Sequence, residues 1–169
     1  MQATTSIWPA MLSSQQTSDL IFLYDVEVEG EAFFDTMLRQ AADVSDQRYK
    51  LALMLQLETE TRARIRCCLT KHGIFRQGDD AASFRGRTKA SELAGTAWAD
   101  FIRALQREAV AYAEICAATA SRGPASAMST LSAVVAHEHA FVNFCALELL
   151  DDRTSTAPLI ACLQFSPRD

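Results

Sequence analysis

The chain has 169 residues, 49% of them hydrophobic, with a formal net charge of −5 and a pI near 5.2. That length supports a single domain with a substantial core, and a mildly acidic chain without a Lys/Arg block disfavours nucleic acid or an anionic membrane surface as a partner. No apolar run reaches the roughly 20 residues that span a bilayer, and the opening MQATTSIWPAMLSSQQ lacks the basic and apolar regions of a secretion signal, so a soluble, cytoplasmic protein is expected.

Residues 1–17 read as an N-terminal extension. A first helix is predicted from about Ser18 to Ala42, with TSD (17–19) as its cap. The segment DVSD (43–46) interrupts it, and a second helix runs from near Ser45 to Lys71, stopping before Gly73. Residues 73–88 are rich in Gly, Asp and Arg and read as a long crossover loop. A third helix spans Lys89 to Ser121 and closes at SRGP; a fourth runs from about Ala125 to Leu150. Residues 157–165 form a short apolar cap. No strand pattern competes, which makes the chain (1–169) one all-α domain built as a four-helix bundle. The five cysteines, Cys67, Cys68, Cys116, Cys145 and Cys162, are odd in number and lie mostly in apolar helical patterns. They suggest packing rather than disulfides or zinc.

Following each apolar stripe at three- and four-residue steps locates the unusual feature. The first helix gives Leu20, Leu23, Glu27, Gly30, Phe34 and Leu38; the second gives Leu51, Leu55, Glu58, Arg62, Ile65 and Leu69. The third gives Trp98, Phe101, Leu105, Glu108, Tyr112 and Ile115; the fourth gives Leu131, Val134, Glu138, Phe141, Cys145 and Leu149. Every stripe carries one glutamate near its middle, and the Glu27–Glu58 and Glu108–Glu138 spacings are nearly equal. Four ionised carboxylates cannot be buried together without metal ions, shared protons, arginine partners or a wet pocket. Of the neighbouring acids, Glu29 is expected to be solvated and Glu31 to lie at the stripe's edge. Gly30 leaves room beside Glu27. Arg62, four residues after Glu58, offers the plainer explanation of an ion pair.

These residues carry a resemblance. EVEGEAFF (27–34), LALMLQLETETRARI (51–65) and the positions of Glu108 and Glu138 resemble the ferritin-like superfamily, in its rubrerythrin-type form. The resemblance covers about 18–150 and implies an up-down-down-up bundle. It also implies a dinuclear iron or manganese site on Glu27, Glu58, Glu108 and Glu138 that performs oxidation. The sequence departs from that pattern at both Glu-x-x-His histidines: Thr61 follows Glu58, and Phe141 follows Glu138. His137 and His139 flank Glu138 but stand about 100° round the helix from it, and His72 sits at a helix end.

With both imidazoles gone, the first expectation is a degenerate di-iron site turned into a pocket for a small organic molecule, with no cofactor. Glu27, Glu58 and Glu138 would titrate as a coupled acid/base set with His137 as proton relay. Thr61, Arg62 and Tyr112 would contact the ligand, and Phe34, Trp98, Phe101 and Phe141 would form the apolar wall. The alternatives are the di-metal (Fe/Mn) oxidoreductase and a non-catalytic structural dimer. A homodimer is expected on any of them, from Phe22, Phe33 and Phe144 as exposed apolar residues.

Overall fold

The computed structural model describes residues 12–41, 45–76 and 78–167. These residues form six α-helices: α1 (Ser14–Gln40), α2 (Ser45–Lys71), α3 (Asp80–Glu92), α4 (Trp98–Ser121), α5 (Met128–Leu149) and α6 (Ala157–Cys162), with a 3₁₀ turn at Ala125–Ala127 before α5. There is no strand among the described residues. No helix in them is long and apolar enough to cross a membrane. Most of the expected N-terminal extension and part of DVSD (43–46) lie outside the described residues.

Local chemistry explains the boundaries. The first helix starts earlier than TSD because Ser13 caps it. The Ser13 hydroxyl accepts from the Gln16 amide, and the Ser13 amide donates to the Gln16 side chain. This reciprocal box satisfies two amides that would otherwise be orphaned. At the end of α2, Gly73 takes φ +72°. The Ile74 amide then reaches back to the Leu69 carbonyl, and the Gly73 amide to that of Thr70. A left-handed residue is needed for that double bond, which is why the helix stops at a glycine.

The crossover is where expectation fails. Residues 80–88 are not loop; they belong to α3. Its buried face is Ala82, Gly86 and Ala90, a stripe too small-sided to register as an apolar pattern. The small residues let α3 lie very close to α1. A Cβ on Gly86 would stand 2.1 Å from the Glu29 carbonyl oxygen. Arg85 and Lys89 then clamp the Glu29 carboxylate at 2.7 Å each, so Glu29 is an anchor rather than a solvated acid. The predicted third helix is correspondingly two helices, separated by a turn in which Gly95 has φ +75°.

Helix α1 packs against α2 and α3, α4 packs against α5, and α6 covers α5 and α2. The interior divides into two apolar clusters. One gathers Phe33, Phe34, Met54, Leu57, Phe101, Phe141 and Phe144. The other gathers Leu20, Tyr24, Ile65, Leu69, Leu131 and Val134. Phe33 and Phe144, expected at the surface, are therefore core residues. Phe22 is exposed as expected. Along α1, α2 and α5 the buried polar residues fall where one cluster gives way to the other.

Candidate functional site

That polar layer consists of Glu27 from α1, Glu58 and Thr61 from α2, and His137 and Glu138 from α5, all buried. Three of the four predicted glutamates thus converge. The fourth does not: the Glu108 side chain is 57% exposed and its nearest cation is Lys89, at 3.7 Å. The phase of α4 explains this. Its buried residues are Phe101, Ile102, Ala109, Ala113, Cys116 and Thr119, one position away from the stripe through Glu108 and Ile115. Ala109 occupies the inward place, and Ile115 faces out. The alternation of Ala109, Ala113 and Cys116 was the available signal, but small residues weigh little against Leu105 and Tyr112 in a periodicity argument.

His137 stands at the middle of the layer. Its Nδ1 shares a hydrogen bond with the Thr61 hydroxyl at 2.8 Å and lies 3.6 Å from Glu27 Oε2. Its Nε2 lies 3.6 Å from Glu58 Oε1. Being next to Glu138 in sequence sends the imidazole toward α1 and α2 while Glu138 faces α4, where Cys116 Sγ is 4.0 Å from its Oε1. Among the fully buried side-chain oxygens and nitrogens of the described residues, Glu27 Oε2 has no hydrogen-bond partner.

The electrostatics follow from that crowding. Burial pushes the Glu27 carboxyl well above its usual range; His137 opposes this, while Glu58 and Glu138 add to it. Burial also drives Glu138 up, to about 7, against the pull of His137. For His137, burial favours the neutral ring, but the carboxylates of Glu27, Glu58 and Glu138 outweigh it and raise the imidazole to about 10. The layer therefore holds an imidazolium among carboxyl groups that share protons near neutral pH.

A cleft of about 70 Å³ opens onto this layer from the α4 side. Glu58 and Glu138 form its floor, and Phe33, Phe34, Leu105, Ala109 and Phe141 line its apolar walls. Phe34 and Phe141 are stacked with centroids 5.5 Å apart. Lys89, Glu108 and the half-buried Tyr112 stand at the mouth. Gly30 matters here, though not as anticipated. The space beside it is filled by Glu58 itself, whose Oε2 would lie 2.4 Å from a Cβ at that position.

The remaining predicted contacts are elsewhere. Arg62 pairs with Glu31 and Asp79 and donates to the Tyr24 hydroxyl, pinning the start of α3 to α1 and α2. It serves neither Glu58 nor the cleft. Trp98 donates to Glu148 at 2.7 Å, and Phe101 stacks on Phe33 with a centroid separation of 6.2 Å; neither lines the cleft. Thr61 acts through His137, and His139 is exposed. Lys89 and Cys116 are site neighbours that sequence reasoning missed.

No protein-family model, curated protein or solved structure matches the chain.

Proposed function

We propose that this chain is a divergent ferritin-like protein, with α1, α2, α4 and α5 as its four-helix bundle, that handles a small organic molecule by acid/base chemistry. The observation that carries the reading is the floor of the cleft, where two buried carboxylates, Glu58 and Glu138, meet an aromatic-walled space. A carboxyl held near pKa 7 exchanges protons with a bound molecule at neutral pH. His137 would stabilise the ionised partner without touching the ligand, and Thr61 would fix the ring's orientation. The test is a ligand-observed NMR screen of small fragments against the wild type and Ala109→Leu, which fills the cleft without altering a carboxylate. Binding that is abolished by Ala109→Leu and weakened by Glu58→Gln or Glu138→Gln supports the proposal. Fragment binding that ignores all three variants overturns it.

A second reading has its own observation. Glu27, Glu58 and His137 each offer one donor atom within 4.8 Å of the others, and Glu27 Oε2 lacks a partner. Such a set suits one hard divalent cation, Mn²⁺ in particular, which would supply Lewis-acid chemistry when bound. A metal pair fits less well, because Glu108 stands at the surface and Thr61 and Phe141 replace the two imidazoles. Elemental analysis of protein purified without chelator separates the readings. One equivalent of manganese or iron, lost in Glu27→Gln, favours the cation.

A further inference from the structure

The chemistry of the cleft specifies more than a small molecule. Its floor is short of close hydrogen-bond donors. Three buried carboxylates, Glu27, Glu58 and Glu138, share a single imidazole, and His137 approaches Glu58 only to 3.6 Å. Glu58 is met by His137 Nε2 at 3.6 Å and Glu138 by Cys116 Sγ at 4.0 Å, both long contacts. The nearby ammonium, Lys89, does not serve them, because Glu29 holds it at 2.7 Å and Glu108 stands at 3.7 Å on its other side. The mouth is therefore balanced, Arg85 and Lys89 against Glu29 and Glu108, while the floor lacks a close donor.

The walls restrict what can supply the missing donors. A bare or hydrated metal ion gains nothing from Phe34 and Phe141, whereas carbon attached to a cation gains dispersion, apolar burial and attraction to the ring faces. An anion would meet two acidic groups, and a neutral alcohol would bring a single O–H donor to share between them. The cleft's volume of about 70 Å³ admits only a few heavy atoms.

We infer that the ligand class is a small aliphatic primary amine, bound as the ammonium, with its N–H groups donated to Glu58 and Glu138 and its carbon chain against Phe34 and Phe141. This inference rests on the organic-ligand reading above and narrows it to one charge type.

The test is calorimetric titration of the wild type with propylammonium, propan-1-ol, propionate and Mn²⁺ at pH 7.5, repeated on Glu58→Gln, Glu138→Gln and Ala109→Leu. Propylammonium is expected to bind roughly tenfold or more tighter than the alcohol and the carboxylate, and each Gln variant is expected to lose about that factor. Ala109→Leu should abolish binding. The ligand series on the wild type stands even if a variant fails to fold. Equal or tighter binding of propanol or propionate overturns the amine inference and leaves the organic pocket in place. Binding of Mn²⁺ alone, lost in Glu27→Gln, overturns both, as does the absence of binding by any probe.

Discussion

Two carboxylates in this molecule, the half-buried Glu148 and the buried Glu27, are solved in opposite ways. Glu148, near the end of α5, receives Lys50 at 2.7 Å, the Trp98 indole N–H at 2.7 Å and the Ser155 hydroxyl at 2.6 Å. Burial alone would raise its carboxyl; those three donors overcome it and hold Glu148 below its usual value. Glu27, in the middle of α1, has an oxygen without any donor and is raised well above its usual value. The first arrangement is complete and serves the packing of α2, α4 and α5. The second is unfinished, and an unfinished buried carboxylate is what a proton, a cation or a ligand completes.

That contrast can be broken from the Glu148 side first, where the largest effect is expected. Glu148→Ala would strand a partly buried ammonium and the donors of Trp98 and Ser155, and should cost roughly 2–4 kcal/mol in urea unfolding. A loss smaller than the effect of an ordinary surface change would show that Glu148 is not structural. Gly30→Ala comes next. Its Cβ would collide with the Glu58 carboxylate, for an expected cost of about 1–3 kcal/mol. In a Glu58→Ala background the same change should become neutral or stabilising, because alanine is the better helix former once the clash is gone. A double-mutant cycle on thermal or urea unfolding checks the reversal.

The pH dependence sharpens the comparison. Glu27 and Glu138 are raised from 4.5, and His137 is raised from 6.5 to about 10. A group whose folded pKa is raised contributes its full stability below the unfolded value and loses it as pH climbs toward the folded value. All three therefore act in one direction: stability should decline between about pH 5 and 10, with the Glu138 share gone shortly above pH 7 and the His137 share lost later. Glu148 is lowered and has the opposite sign, with its stability present above 4.5 and lost on acidification. Glu27→Gln should flatten the alkaline decline and gain about 1 kcal/mol at pH 8 while changing little at pH 4.5. Urea titrations at those two pH values decide it, and a variant that loses stability at pH 8 would mean that Glu27 is ionised and paired with His137. The smallest effect belongs to Glu108→Ala. As an exposed residue it should change stability by less than about 0.5 kcal/mol, and a larger loss would return it to the buried set.

The all-helical class and the boundaries of α2 were legible because heptad-scale apolar patterns, a missing strand pattern and Gly73 all pointed one way. Glu27, Glu58 and Glu138 were legible because each lies on a stripe of large side chains, among them Leu23, Ile65 and Phe141, that the fold buries. Glu108 was misplaced because Leu105, Tyr112 and Ile115 draw a stripe of large side chains through it, while around Glu108 the face α4 buries is marked only by the small Ala109 and Ala113. Helix α3 was read as a loop because a stripe of Ala82, Gly86 and Ala90 buries by closeness of backbones, which leaves almost no hydrophobic trace.

The sequence alone determined that glutamates stand at mid-helix depth among large apolar residues at helical spacing; three of them are buried and Glu108 is not. Only the tertiary structure decided which glutamates share an environment and what compensates each of them. Ion pairing depends on separations of a few ångströms between different helices, and helix phase and interhelical distance set those separations. Glu29 became an anchor because glycine let α3 approach, Glu148 was satisfied because α2 and α4 delivered Lys50 and Trp98, and Glu27 was left facing His137 with one oxygen unpaired.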